Sequence, residues 1–326
     1  MRFWKNGTPI FINIPSFRNM ENKRGANSIK SWIKAFRLRT LPLALSSTIT
    51  GSLIAVSKGN YKIQVIVLAS ITTLLLQVLS NLANDYGDAV KGVDNENRTG
   101  PARTVQSGEI SAGEMKRAVI IAAIVSLISG MFLLYVSFGN HIKAALLFFA
   151  IGIGAIIAAI KYTVGKSAYG YHKAGDLFVF IFFGITGVAG IYYMNTLSIS
   201  FDIFLPAISI GLFSVGVLNL NNMRDMDNDR ISGKNTIASQ LGWSKAKVYH
   251  YTLILTGWVS AFAFLFINYK SPYNFLFILT LPLFIKDLVA ISKIKRKEAL
   301  DPFLKKLAIS TFLFSLLLGV GFVVSG

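Results

Sequence analysis

Cysteine is absent from the 326 residues, which excludes disulfides, thiolate nucleophiles and zinc-thiolate centres. Histidine is almost as scarce. His141, His172 and His250 are widely spaced in sequence, so a histidine metal site or Ser-His chemistry lacks its material. Charge is thin as well: 15% of residues are charged, against about 25% in soluble globular domains. Acids are the scarcer sign, 15 against 33 lysines and arginines. No phosphate-binding P-loop and no dinucleotide fingerprint occurs.

Hydrophobic residues make up 53% of the chain and mean hydropathy is +0.55. Apolar runs of roughly 18–22 residues recur, the signature of a polytopic all-α membrane protein embedded in a lipid bilayer. The pattern predicts nine transmembrane helices, near 38–56, 63–83, 118–138, 142–160, 177–196, 203–221, 249–268, 274–291 and 307–324. The net charge of +18 would suggest nucleic acid in a soluble protein. Here the basic residues sort to one side of the membrane, only Lys58, Lys62, Lys143 and Lys270 falling on the other. The positive-inside rule accounts for the charge without a nucleic-acid partner. It places the N-terminus in the cytoplasm and the C-terminus outside.

Residues 1–37 form a cytoplasmic leader, and 38–326 the transmembrane domain. The short apolar stretch FINIPSF holds a proline and fits neither a signal peptide nor a span. Met20 reads as a possible biological start, since MENKRGANSIKSWIKAF is a basic leader of its own. Within it, Ser28 to Arg39 sets Ile29, Trp32, Ile33 and Phe36 on one helical face among basic residues, an interfacial amphipathic helix.

The few acids are not scattered. Four lie between Asp85 and Glu96 in NLANDYGDAVKGVDNE, and three between Asp225 and Asp229 in NNMRDMDND. Each segment closes a span, and four spans separate them, so both lie on the same face. This reads as two parallel four-helix pseudo-repeats plus a ninth helix. In a helix, Asn81, Asn84, Asp85 and Asp88 share a face by their i, i+3, i+4, i+7 spacing. Asn221, Asp225 and Asp229 form a second stripe; Asp227 points away as a solvated or capping acid. Gly92 ends the first helix and leaves Asp94 free to fold back.

Like charges one turn apart destabilise a helix unless compensated, and ionisable residues near the bilayer are costly. A divalent cation compensates naturally. Magnesium (Mg2+) takes one or two carboxylates plus substrate phosphate oxygens, so two facing clusters would clamp a diphosphate. Lys91, Arg98 and Arg103 beside the first cluster, and Arg224, Arg230 and Lys234 beside the second, suit phosphate oxygens. The loop KYTVGKSAYGYHKAGD adds Lys161, Tyr162, Lys166, Tyr169 and Tyr171 on the same side. Such tyrosines are belt residues or, through their π faces, shields for a carbocation. Gly152, Gly154, Gly184, Gly187 and Gly190 lie within spans, where small residues permit close packing.

These motifs resemble the intramembrane aromatic prenyltransferases of the UbiA superfamily across nearly all nine spans, residues 1–26 excepted. NDYGDAVKGVD, RTGPARTVQSGEIS, KYTVGKSAYGY, NLNNMRDMDNDRISGKNT and FRLRTLPLALSS look most like the menaquinone-pathway branch. The resemblance implies transfer of a polyprenyl group from polyprenyl diphosphate to 1,4-dihydroxy-2-naphthoate, with loss of diphosphate and carbon dioxide, giving demethylmenaquinone. It implies magnesium held by Asp85, Asp88, Asp225 and Asp229, with Asp94 helping and Asn81 and Asn221 supporting. Arg39, Lys161 and Tyr162 become candidates for the acceptor carboxylate. Two readings compete: another aromatic acceptor such as 4-hydroxybenzoate or homogentisate, and a secondary transporter, whose buried acids would lie near the midplane of inverted repeats.

Overall fold

The computed structural model describes residues 2–5, 8–11, 28–92, 100, 103–165 and 167–326. Asp94, Arg98, Lys166 and the Met20 start therefore lie outside the described residues. Two short strands, β1 (Arg2–Lys5) and β2 (Thr8–Phe11), pair antiparallel with Arg2 opposite Phe11. Among the described residues, every later element of regular length is a helix. Helix α1 spans 28–36, α2 Leu41–Ser57, α3 Ile63–Val90, α4 Ala112–Phe138 and α5 Ile142–Lys161. Helix α6 covers Gly175–Thr196, α7 Phe204–Arg224, α8 Met226–Ile231 and α9 Ile237–Asn268. Helix α10 covers Pro272–Lys293, and α11 Asp301–Ser325. Among the described residues nine helical segments are long and apolar enough to cross a membrane, in the order and near the positions the hydropathy pattern predicts.

The helices outrun the apolar runs at the acidic end of the bundle. The second span is predicted to end near residue 83, yet α3 continues to Val90. The seventh is predicted from 249, yet α9 begins at Ile237, interrupted by a kink where Gly242 leaves helical backbone (φ 76, ψ 170). Helical hydrogen bonding does not stop where side chains become polar; it stops at caps. Gly92, at φ +72, ends α3. Ser111 with Glu114, and Thr236 with Ser239, make reciprocal capping boxes that open α4 and α9. The 28 residues of α3 therefore rise about 42 Å against a hydrocarbon thickness of about 30 Å. Its last turns, carrying Asp85 and Asp88, stand at the interface. The amphipathic helix is shorter than predicted: it stops where Arg37 turns left-handed (φ 51, ψ 58), and a 3-10 turn, Leu38–Thr40, leads into α2. Ile29 and Ile33 stay exposed on it, as a lipid-facing side requires.

Helix α7 is the centre of the bundle, packed by α2, α6, α9 and α11. Around it Phe213, Trp258, Phe277, Phe284 and Phe314 form one aromatic core. A second core joins α1, α3 and α4 through Ala35, Leu79, Leu82 and Met115. Small residues set the closest approaches. A Cβ on Gly51 would come within 2.4 Å of the Val188 carbonyl oxygen, and one on Gly184 within 2.6 Å of that of Ala207. Gly152 and Gly154 do not fit the packing expectation, because a Cβ on either meets nothing within 4 Å. Helix α5 is loosely held, with only Phe148 and Ala158 buried.

This contrast sets a test. Gly51→Val would force α2 off α6 and lower stability by about 1–3 kcal/mol, read as a lower Tm in detergent. Gly152→Ala is expected to leave Tm unchanged or slightly raised; an equal fall for both would contradict the packing.

Candidate functional site

Helix α3 enters the site with its register intact. Asn81, Asp85 and Asp88 are all buried, and Asn84 partly so. The second stripe forms differently from the predicted continuous helix. The chain breaks at Asp225 (φ −91, ψ 7), which caps both α7 and the short α8. Asp225 and Asp229 are nevertheless buried. Asp227 points away, its side chain 67% exposed and paired with Lys297 at 2.6 Å, as its register requires.

Carboxylates taken out of water need partners, and each of the four has one. Asp85 Oδ1 accepts from Arg37 Nη2 at 2.7 Å, and its Oδ2 accepts from Thr104 Oγ1 at 2.7 Å. Asp88 Oδ2 pairs with Arg103 Nη1 at 2.5 Å, while its Oδ1 accepts from the Tyr171 hydroxyl at 2.6 Å. Arg224 donates to both oxygens of Asp225, at 2.9 and 2.7 Å. Lys234 Nζ lies 3.6 Å from Asp229 Oδ1. Arg224 also pairs with Asp301 at the start of α11, and Gly100 lies against its guanidinium, where a Cβ would come within 2.7 Å of Nη2.

Backbone pairing between two loops aligns these groups. Asn235 N–H donates to the Tyr171 carbonyl at 3.1 Å, and Lys173 N–H donates to that of Asn235 at 2.9 Å. Tyr171 thereby reaches Asp88, and Lys234 lies within electrostatic reach of Asp229 and Asp88 together. Lys91 stands 3.8 Å over the Tyr171 ring. Burial pulls the Lys234 ammonium down, but Asp229 and Asp88 hold it above its ordinary value. Burial likewise raises the Tyr162 phenol to about 12, so it is a hydrogen-bond donor at neutral pH.

Asp88, Arg103, Asn221 and Lys234 open onto a cavity of about 390 Å³. Its wall descends past Leu76, Thr72 and Ala69 to Phe148, Ile191 and Met194. From Asp88 to Ala69 along α3 is about 28 Å at 1.5 Å per residue, so a polar mouth tops a long apolar lumen. One side is aromatic: Tyr162 meets Tyr169 edge-on at 5.4 Å, and Tyr169 stacks on Phe178 at 4.1 Å. Gly170 and Gly175 crowd Tyr162, a Cβ on Gly175 falling 3.1 Å from its ring.

Several predicted residues are placed otherwise. Lys161 is exposed and does not line the cavity. Arg230 donates to the Ser239 carbonyl and secures the start of α9. Asn81 supports indirectly, donating to the Phe36 carbonyl and Thr40 and so fixing the turn that carries Arg37. Arg39 and Tyr162 do line the cavity. The sequence reading missed Arg37, Thr104, Asp301 and Lys305; none stands in an acidic motif, and only the basic leader hinted at Arg37.

A divalent cation fits the donor set. Asp229 Oδ2 is buried with no hydrogen-bond partner among the described residues. Burial pushes its carboxyl up to about 6 against the pull of Lys234, with Asp225 and Asp88 adding to the rise. Crowded negative charge with a bare oxygen suits a cation. Among the described residues no three carboxylates converge on one point; magnesium requires only one or two from protein when phosphate supplies others.

Nine membrane-crossing segments, a one-ended cluster of paired acids and bases, and a lumen of lipid length define a multi-pass membrane protein built to handle an amphiphilic anion. The chain belongs to the UbiA prenyltransferase family, which it matches over residues 44–319. It is 42% identical over 308 residues to the 1,4-dihydroxy-2-naphthoate octaprenyltransferase of Haemophilus influenzae, covering 94% of this chain and 100% of that one. It is 40% identical over 297 residues to the Escherichia coli protein of the same name, covering 91% and 96%. The apo structure of a UbiA homolog from Aeropyrum pernix K1 superposes with a TM-score of 0.63 at 17% identity, covering 88% of this chain and 98% of that one. That likeness concerns the fold alone. Family membership removes the transporter reading.

The Lys234–Asp229 pair carries a test of its own. Lys234→Met leaves a buried carboxylate uncompensated and should cost about 3–5 kcal/mol of stability. Adding Asp229→Asn should recover most of it. A Tm indifferent to Lys234→Met would show that the two charges are not coupled.

Proposed function

We propose that this chain transfers a polyprenyl group from polyprenyl diphosphate to 1,4-dihydroxy-2-naphthoate, releasing diphosphate and carbon dioxide and yielding the quinol form of demethylmenaquinone. Names carried by relatives at 40–42% identity over nearly the whole chain support the acceptor. The observation that carries the reading is the cavity itself. Asp88, Arg103, Asn221 and Lys234 stand at its mouth over an apolar lumen, matching a donor with a doubly phosphorylated head and a hydrocarbon tail.

In this reading Asp85, Asp88, Asp225 and Asp229 hold magnesium, with Asp94 from the loop after α3. Bound there, magnesium supplies Lewis-acid neutralisation of the leaving diphosphate. Arg103 and Lys234 give up part of their hold on Asp88 and Asp229 to take phosphate oxygens; Lys91 and Arg224 stand behind them, and Arg98, outside the described residues, is a further candidate for the same anion. As the allylic C–O bond breaks, the electron pair leaves with the diphosphate, and Tyr162, Tyr169 and Phe178 present π faces to the cationic carbon. The lumen keeps out the water that would trap that cation. The naphthoate ring carbon bearing the carboxylate, activated by the adjacent hydroxyl, then bonds to the allylic carbon. Loss of the carboxylate as carbon dioxide returns its bonding pair to the ring and restores aromaticity. No strong general base is needed, in keeping with a site without histidine.

We place the enzyme in the inner membrane, with the N-terminus and both acidic motifs cytoplasmic. Residues 38–326 form the transmembrane prenyltransferase domain, built as two parallel four-helix halves and a ninth helix, behind the 1–37 leader.

Asp85→Asn, Asp88→Asn, Asp225→Asn and Asp229→Asn should each remove most turnover, while Asp227→Asn should be mild. Chelation by EDTA should stop the reaction and magnesium restore it. Carboxyl-labelled acceptor should release its label as gas in step with prenylated product. Product that kept the label would defeat the assignment, as would turnover undiminished in chelator.

The orientation has a separate check. In this cysteine-free chain, Ser232→Cys should resist a membrane-impermeant thiol reagent in whole cells, and Ser271→Cys should react. The reverse pattern would invert the topology.

A further inference from the structure

Among the described residues, five cationic side chains line the cavity: Arg37, Arg39, Arg103, Lys234 and Lys305. Three are committed to the acidic motifs: Arg37 to Asp85 at 2.7 Å, Arg103 to Asp88 at 2.5 Å and Lys234 to Asp229 at 3.6 Å. The other two stand apart from those acids. Arg39 Nη1 lies 3.5 Å from Asp301 Oδ2, a carboxylate shared with Arg224. Lys305 is exposed and makes no ion pair or hydrogen bond to any described residue. It stands four residues after Asp301 in α11, on the same helical face, so Lys305 by helical register and Arg39 by its ion pair are both tied to the Asp301 position, and both line the cavity. Leu304 and Ala308, beside Lys305, line the cavity too.

We infer that Lys305, with Arg39, is the subsite for the carboxylate of the aromatic acceptor. This rests on the proposed function, which requires two anions in one cavity at once. An aromatic carboxylate entering an apolar space without a cationic partner would lose much of its hydration uncompensated. The diphosphate claims the Arg103 and Lys234 side. The α11 side holds the remaining positive charge, with Leu304 and Ala308 as an apolar bed for a fused ring. Arg224 bonds both Asp301 and, at 2.9 Å, Asn221 Oδ1 of the second motif. The subsite is thus linked through Asp301 and Arg224 to the residues assigned to the diphosphate. A lysine at this position favours carboxylated acceptors, which add an ion pair that a neutral ring cannot make.

The test uses full-length protein in detergent and two ring probes, 1-hydroxy-2-naphthoate and 1-naphthol, which differ by the carboxylate. Binding is followed by naphthol fluorescence and does not depend on turnover. A charge-assisted hydrogen bond of about 1.5–3 kcal/mol corresponds to roughly tenfold or more in affinity. Lys305→Gln should therefore weaken 1-hydroxy-2-naphthoate about tenfold, leave 1-naphthol within twofold and leave KM for the donor unchanged. Lys305→Arg should recover most of the loss. Equal weakening of both probes, no weakening of either, or a change confined to donor KM would overturn the inference. Wild-type protein that binds the carboxylated probe selectively through Lys305 but transfers no prenyl group would defeat the proposed reaction and leave the subsite standing.

Discussion

Burying carboxylates is the constraint on which the rest of this structure turns. Asp85, Asp88, Asp225 and Asp229 lie almost wholly out of water at the end of a bundle otherwise made of hydrocarbon. An unpaired charge there would neutralise itself or unfold its surroundings. The fold answers by drawing a cation from a different part of the chain to most of them: Arg37 from the turn before α2, Arg103 from the loop after α3, Lys234 from the segment before α9. Asp225 takes its own neighbour, Arg224, and that arginine reaches on to Asp301 of α11. The ion pairs are therefore also the joints that gather loops remote in sequence around one cavity mouth.

The same pairing suits the proposed chemistry. A site meant to accept a diphosphate must hold cations ready without letting them collapse the acids needed for a metal. Here Arg103 and Lys234 neutralise Asp88 and Asp229 while Asp229 keeps one oxygen bare. Below this mouth the loosely packed α5 and the aromatic side of the cavity make room for a tail of lipid length. The proposed catalysis would then ask for a redistribution of partners already in place, which costs less than assembling charges from water.

Much of this could be read from residue order. Helical spacing alone assigns Asp85 and Asp88 to one buried face and turns Asp227 outward, because α3 keeps its register to Val90 and α8 keeps enough of it despite the break at Asp225. The nine spans follow from hydropathy, and Gly92 from its place after the last periodic residue. The partners were not readable. Arg37, Thr104, Asp301 and Lys305 belong to segments with no periodic tie to the acids, brought near only by packing. Lys161 shows the converse: it sits one residue from Tyr162, yet the end of α5 points it away while Tyr162 turns in. Loop pairing through Asn235, which gives Tyr171 its role at Asp88, leaves no trace in composition or spacing.

The central claim is that both acidic motifs and their cations serve one diphosphate. A structure with magnesium and a non-reactive prenyl thiodiphosphate tests it directly. The account predicts the diphosphate between the end of α3 and the Asp225–Asp229 segment, with Arg103 and Lys234 on its oxygens and the tail running down the lumen toward Phe148 and Met194. A diphosphate bound elsewhere, with the Arg103–Asp88 and Lys234–Asp229 pairs undisturbed, would contradict it.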